Sequence, residues 1–217
     1  MRSLKQLLKC LLIRLLPLQF VMWRGRDASG RIALTFDDGP DPELTPAILA
    51  VLRQYGVKAT FFVLGEKART HPELIELIAR DGHEIGNHSF SHQPMNESTL
   101  PSMIREFSAT DRLIHHHTGR PAPLIRPPRG IMTLPFLWYA LTHRRTVVLW
   151  SVDPQDYHPQ ASELLLERIL QQLGSSSDIV LLHERHRQTV ELLPPLLDVL
   201  TARRAQCVTV SRLMEAA

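Results

Sequence analysis

ALTFDDGPD, residues 33 to 41, decides how the rest of the chain is read. An apolar run enters two adjacent aspartates, and Gly39-Pro40 then ends the strand and turns the backbone. Neighbouring carboxylates repel and raise each other's pKa, so a strand end that keeps both needs a cation, an arginine or a proton beside it. Asp and Gly are also ordinary residues of a solvated turn, so the pair has to be weighed with what surrounds it.

Outward from this stretch, short β-like runs alternate with helical ones. Ile32 to Phe36 is the first strand; Thr45 and Pro46 open a helix that Gly56 ends. Strands follow at Ala59 to Leu64, His83 to Gly86, Leu124 to Arg126, Thr146 to Ser151, Asp178 to Leu182 and Cys207 to Val210. Helices are expected at Pro72 to Arg80, Ser98 to Thr118, Leu134 to Thr142, Ser162 to Leu173 and Thr189 to Arg203. Seven strands alternating with helices imply parallel pairing through right-handed crossovers, in an open doubly wound sheet or a closed barrel.

The unusual polar residues choose between the two. Asp37 and Asp38 follow the first strand, His88 and His92 the third, Arg126 ends the fourth, Asp153 follows the fifth and His183 ends the sixth. All lie at carboxyl ends of strands. A barrel gathers those ends on one rim, whereas an open sheet spreads them along a line, so the barrel is the better reading. No glycine-rich phosphate turn follows the first strand, which argues against a nucleotide fold.

Two imidazoles and one carboxylate make a first-row metal site with positions left open for water and substrate. His88 and His92, four residues apart, share one side if their loop coils helically, and Asp38 supplies the carboxylate. Consecutive His115, His116 and His117 point to different faces of a helix and read as a solvated helix end.

At 217 residues the chain has the size of one domain with a sizeable core. Its net charge of +3 is too small to argue for nucleic acid. Cys10 and Cys207 lie at opposite ends without pairing or metal spacing. Residues 1–23 are read as an amphipathic N-terminal helix set apart from a domain over 24–217: Leu4, Leu7, Leu8, Leu11 and Leu15 share one face, with Arg2, Lys5 and Lys9 opposite. Arg14 and Pro17 interrupt both a spanning helix and a cleavable signal. Such a helix suits an anionic membrane surface or the domain's own flank. The expected location is the cytoplasm or the periphery of the inner membrane, with secretion left open.

TFDDGP (35–40), HSFSH (88–92), RPPRG (126–130), DPQDY (153–157) and LLH (181–183) together resemble the five ordered motifs of the polysaccharide deacetylases, the NodB-homology or carbohydrate esterase 4 family. The resemblance spans roughly residues 31 to 210. It implies an α/β fold, an incomplete and distorted (β/α)7 barrel with the active site at the carboxyl ends of the strands, and metal-dependent hydrolysis of an N-acyl group on an amino sugar.

By motif position, Asp38, His88 and His92 would hold one divalent ion, zinc first, with cobalt, manganese or iron as alternatives. Asp37 would be the general base, paired with Arg126. The Arg129 backbone N–H would meet the oxyanion and Tyr157 the substrate. His183, oriented and kept protonated by Asp153, would be the general acid.

Three residues depart from the family pattern. Arg129 stands where an aromatic is usual, Tyr157 where tryptophan is, and Glu184 where aspartate is. Arg129, together with Arg185, His186 and Arg187 that directly follow Glu184, supplies basic groups that suggest an anionic or lipid-linked substrate. The rival readings are a deformylase or deacylase of a lipid-linked aminosugar and a non-catalytic carbohydrate-binding barrel.

Overall fold

The computed structural model describes residues 20–25, 30–174 and 177–215. Its strands are β1 (Val21–Met22), β2 (Arg31–Asp37), β3 (Thr60–Val63), β4 (Glu84–Asn87), β5 (Leu124–Ile125), β6 (Thr146–Val148), β7 (Asp178–His183) and β8 (Gln206–Cys207). The helices are α1 (Leu44–Gln54), α2 (Gly65–Thr70), α3 (Pro72–Arg80), α4 (Leu100–Thr118), α5 (Leu134–Thr142), α6 (Ser162–Gln172), α7 (Arg187–Ala202) and α8 (Val210–Met214). Among the described residues no helix is long and apolar enough to cross a membrane.

The ladder runs β1-β6-β5-β4-β3-β2-β7, all parallel, with β8 added beside β2. Its two ends meet just beyond β6. Ser151 and Val152 N–H donate to the Ile179 carbonyl at 3.0 and 3.1 Å, and Leu181 N–H donates to Val152 at 3.0 Å. This is the incomplete barrel the strand ends demanded, curled shut by a short seam instead of a full ladder.

Strand alternation sorts the side chains. Ile32, Leu34 and Phe36 of β2 enter the large cluster shared with α1, α3, α6 and α7. Ala33 packs in a different cluster with Phe62, Val148 and Ile179, and α8 adds Val210 and Leu213 to it. On the same side of β2 as Ala33 come Thr35 and then Asp37, so the alternation that fills the interior also carries a carboxylate to its upper end. Register completes the placement: Asp37 lies opposite His183 on one side and Phe62 on the other.

Several expectations are corrected. Val21–Met22 is a strand on β6, so the sheet begins within the stretch read as an N-terminal helix; residues 1–19 of that stretch lie outside the described residues. A dipeptide strand is too short to show a period. Val210 opens a helix instead of ending a strand, because the Thr209 side chain accepts the Arg212 N–H and caps α8. Helix α2 is an addition. Thr45 does not cap α1; the Asp41 carboxylate accepts Glu43 and Leu44 N–H at 3.0 and 2.9 Å, and Thr45 accepts Asp41 N–H at 2.7 Å. The histidine run does end α4 at the surface, where Gly119 closes the helix at φ 67°.

The loops after β2 and β7 are locked together by Glu184. Its carboxyl is buried, accepts the Thr45 hydroxyl, and leaves Oε1 without a hydrogen-bond partner. A Cβ on Gly39 would lie 1.8 Å from that oxygen. Burial pushes the Glu184 pKa from 4.5 up to about 8. The folded state therefore holds this proton more tightly than the unfolded chain. The stabilisation is full below about pH 4.5 and is lost as pH rises through about 8. Melting curves from about pH 5 to 9 should show the wild type losing stability relative to Glu184→Gln across that window; parallel curves would contradict a buried neutral carboxyl.

Candidate active site

At the carboxyl ends of the strands lies a cleft of about 470 Å³ lined by Asp37, Asp38, His88, His92, Arg129, Asp153, Tyr157, His183 and Arg185, among others. A larger hollow of about 580 Å³ opens near the amino ends of β3 and β4, but its buried His83 is held at a pKa of about 4, chiefly by burial, and accepts Ala59 N–H. The chemistry is at the other end.

Arg126 is fully buried and fixes the floor. Its Nη1 donates to Asp37 Oδ1 at 2.6 Å and to Thr35 Oγ1 at 2.9 Å, while Nε and Nη2 donate to the Val148 and Leu149 carbonyls at 3.1 Å. The guanidinium lies over Phe62 at 4.1 Å from the ring centroid. Burial lowers the Arg126 pKa and Asp37 opposes that shift. An arginine keeps its charge even so.

Asp38, His88 and His92 each offer a ligand atom, all within 4.8 Å of one another. His88 Nδ1 lies 2.8 Å from the Arg126 carbonyl, which only accepts, so Nδ1 carries the proton and the Nε2 lone pair is left for the cluster. Buried Asp38 Oδ1 has no hydrogen-bond partner, and it sits 3.6 Å from His88 Nε2 and 3.4 Å from His92 Nε2. Burial pushes the Asp38 pKa up, but His88, His92, His183 and Arg185 outweigh it and the net shift is downward. Burial and His88 lower the His92 pKa. The Asp38 carboxylate, with its orphaned buried oxygen, and the two imidazoles gathered around it fit a divalent cation.

The histidines do not meet by helical coiling. Ser89 and His92 take φ of 72° and 60°, and the rings stand edge to face at 5.1 Å. The turn is stapled from outside the sequence motif: Asn87 accepts Ser89 N–H at 2.9 Å, and Glu106 on α4 accepts Phe90 and Ser91 N–H at 3.1 and 2.8 Å. Asp38 and Arg129 are also left-handed, at φ 69° and 56°.

The acid side corrects one assignment. His183 is oriented by Asp156, not Asp153. Asp156 Oδ1 lies 2.7 Å from His183 Nδ1, while Oδ2 accepts the His183 N–H at 2.7 Å and the Thr189 hydroxyl at 3.0 Å. Asp153 lines the cleft, where it accepts Gln155 N–H at 2.9 Å and burial raises its pKa. Gln155, at φ 63°, turns the chain between the two carboxylates. The second aspartate of DPQDY was the available signal, since a three-residue spacing leaves only one of the two free to reach beneath β7. Tyr157 stands edge-on to His183 at 5.5 Å. Burial alone would lower the His183 pKa, but the Asp156 hydrogen bond and the Asp156, Asp37 and Asp38 charges reverse it, and the net shift is upward.

Ring-proton NMR should therefore find the His183 titration moved to lower pH in Asp156→Asn, and by less in Asp153→Asn. The reverse order would restore Asp153 as the orienting group.

A family model described as polysaccharide deacetylase matches residues 24–148. The chain is 34% identical over 184 residues to the peptidoglycan-N-acetylmuramic acid deacetylase PdaC of Bacillus subtilis, covering 85% of this chain and 38% of that protein, so it spans well under half of that relative. It is 34% identical over 203 residues to a peptidoglycan-N-acetylglucosamine deacetylase of Bacillus cereus, covering 91% of this chain and 94% of that one. Among solved structures, the Bc1960 peptidoglycan N-acetylglucosamine deacetylase superposes with a TM-score of 0.87 at 32% identity, covering 90% of this chain and 92% of that one. Sequence, fold and the grouping of residues on the rim agree: the chain belongs to the polysaccharide deacetylase family.

Proposed function

We propose that this protein removes the acetyl group from an N-acetylated amino sugar of an envelope polysaccharide, glycolipid or precursor, as a metal-dependent amidohydrolase. The observation that carries the reading is the single cleft in which the Asp38, His88 and His92 cluster lies beside Asp37 and His183 in facing register. Asp38, His88 and His92 would hold a divalent ion, zinc by donor type, which when bound would supply Lewis acidity towards the acyl carbonyl and water.

The chain's own residues do the rest. Asp37, pinned by Arg126, takes the proton of the attacking water. The Arg129 N–H, in the turn that lines the cleft, is the donor for the oxyanion. His183, with Nδ1 committed to Asp156, gives a proton from Nε2 to the departing amine as the C–N bond breaks. Acetate and the free amino sugar result.

Acetate release from chitooligosaccharide should depend on added zinc, be lost on chelation, and fall by about 10²- to 10⁴-fold in Asp37→Asn. Formate from a formylated sugar in place of acetate would transfer the reading to a deformylase. Stoichiometric metal with no hydrolysis of any acyl sugar would leave a carbohydrate-binding barrel.

The substrate class is drawn more finely by two exposed guanidinium groups in the cleft wall, Arg129 and Arg185, the latter with Nε 3.6 Å from Asp38 Oδ2. Arginine forks match carboxylate and phosphate, so these residues support an amino sugar carrying an anionic group, including one linked to lipid through phosphate. The preference of kcat/KM for an anionic over a neutral amino sugar should fall about tenfold in Arg129→Ala or Arg185→Ala, the scale of one charge-assisted hydrogen bond. Equal rates on both sugars in the wild type would discard the anionic substrate and leave the deacetylase reading intact.

A further inference from the structure

Helix α5 carries a feature that the chemistry of the cleft does not use. Its inner face, Phe136, Tyr139 and Ala140, is buried. Its outer face presents Leu134, Trp138 and Leu141, at 83, 60 and 51% exposure. Their spacing puts the three on one stripe. A helix apolar all round belongs in an apolar environment on both sides, and here only one side is covered by protein.

The charges around the stripe say what covers it. From Leu134 to Arg145 the sequence holds no acid, and the helix runs into His143, Arg144 and Arg145, of which His143 and Arg144 are exposed. Phe20 packs in the same apolar cluster as Phe136 and Tyr139, and residues 1–19 precede it in the sequence. Those residues alternate leucines with Arg2, Lys5, Lys9 and Arg14. The stripe itself is a surface of leucine and tryptophan edged with positive charge at His143 and Arg144, the pattern of an interfacial membrane contact.

We propose that the Leu134, Trp138 and Leu141 stripe docks this protein on an anionic phospholipid bilayer. Thr133, the N-cap of α5, follows the Pro128–Gly130 turn by three residues, so the stripe starts near the Arg129 edge of the cleft. For its functional meaning the inference rests on the deacetylase reading: bilayer docking brings that edge towards sugars at the membrane surface. The binding claim itself is independent of activity.

The test is co-sedimentation of the full-length protein with vesicles of phosphatidylglycerol and phosphatidylethanolamine, against phosphatidylcholine alone. The expected result is binding to the anionic vesicles only. Leu134→Ser/Trp138→Ser/Leu141→Ser should weaken binding at least tenfold with residues 1–19 intact, while unfolding temperature and acetate release from a soluble substrate stay unchanged. A blue shift of tryptophan emission on vesicle addition should disappear in Trp138→Phe. No binding by the wild type, equal binding by the triple variant, or a dimer that the triple variant converts to monomer would each overturn the proposal, the last by making the stripe a subunit interface. Acetate release that fails in every form while vesicle binding follows the stripe would count against the deacetylase reading alone.

Discussion

The buried ion pair of Arg126 and Asp37 is the interaction on which the rest of the rim depends. A guanidinium with no exposed surface is tolerated because Asp37, Thr35 and two carbonyls at the end of β6, Val148 and Leu149, take its donors and Phe62 covers its face. Thr35 passes the connection on by donating to the Val180 carbonyl at 2.7 Å. One side chain from the end of β5 thereby joins β2, β6 and β7 through the barrel interior. Removing either charge would strand the other, a loss on the order of 3–5 kcal/mol. Asp37 is thus held by the same contact that ties the sheet's upper end.

Around that floor, the reactive groups sit on backbone that an ordinary strand or helix would not provide. Asp38, His92 and Arg129 are left-handed without being glycine, and each lines the cleft. Conformations of this kind cost of order 1–3 kcal/mol each and persist only where the surroundings over-determine them. The staples are visible: Asn87 and Glu106 hold the histidine turn, while Asn87 is itself anchored by donating to the Phe107 carbonyl and to Asp111. Much of the precision of the site therefore resides in α4, which contributes no group to the chemistry.

The sequence was informative where physical rules act locally. Apolar periodicity and glycine stops located the strands and helices that form the barrel, and the clustering of polar residues at strand ends separated barrel from open sheet. Asp37, Asp38, His88, His92, Arg126, Arg129, Asp153, Tyr157 and His183 all reach one cleft or its floor. What could not be read depended on backbone direction between close neighbours. Asp153 and Asp156 are chemically alike, and only the turn at Gln155 decides which meets His183. The strand at Val21–Met22 draws its stability from β6, far along the chain, and Glu106 is an unremarked helix residue until α4 packs beside the histidine turn.

Glu184 and Gly39 carry a consequence for how this protein can vary. The carboxyl of residue 184 occupies the volume in which any side chain at 39 would begin. The two positions are therefore one packing choice. A shorter acid at 184 opens that volume, whereas a longer one makes the glycine obligatory. Residue 184 directly follows His183 and residue 39 directly follows Asp38, so the loops that carry these two cleft residues meet through this one contact, and a substitution at either position is felt at both.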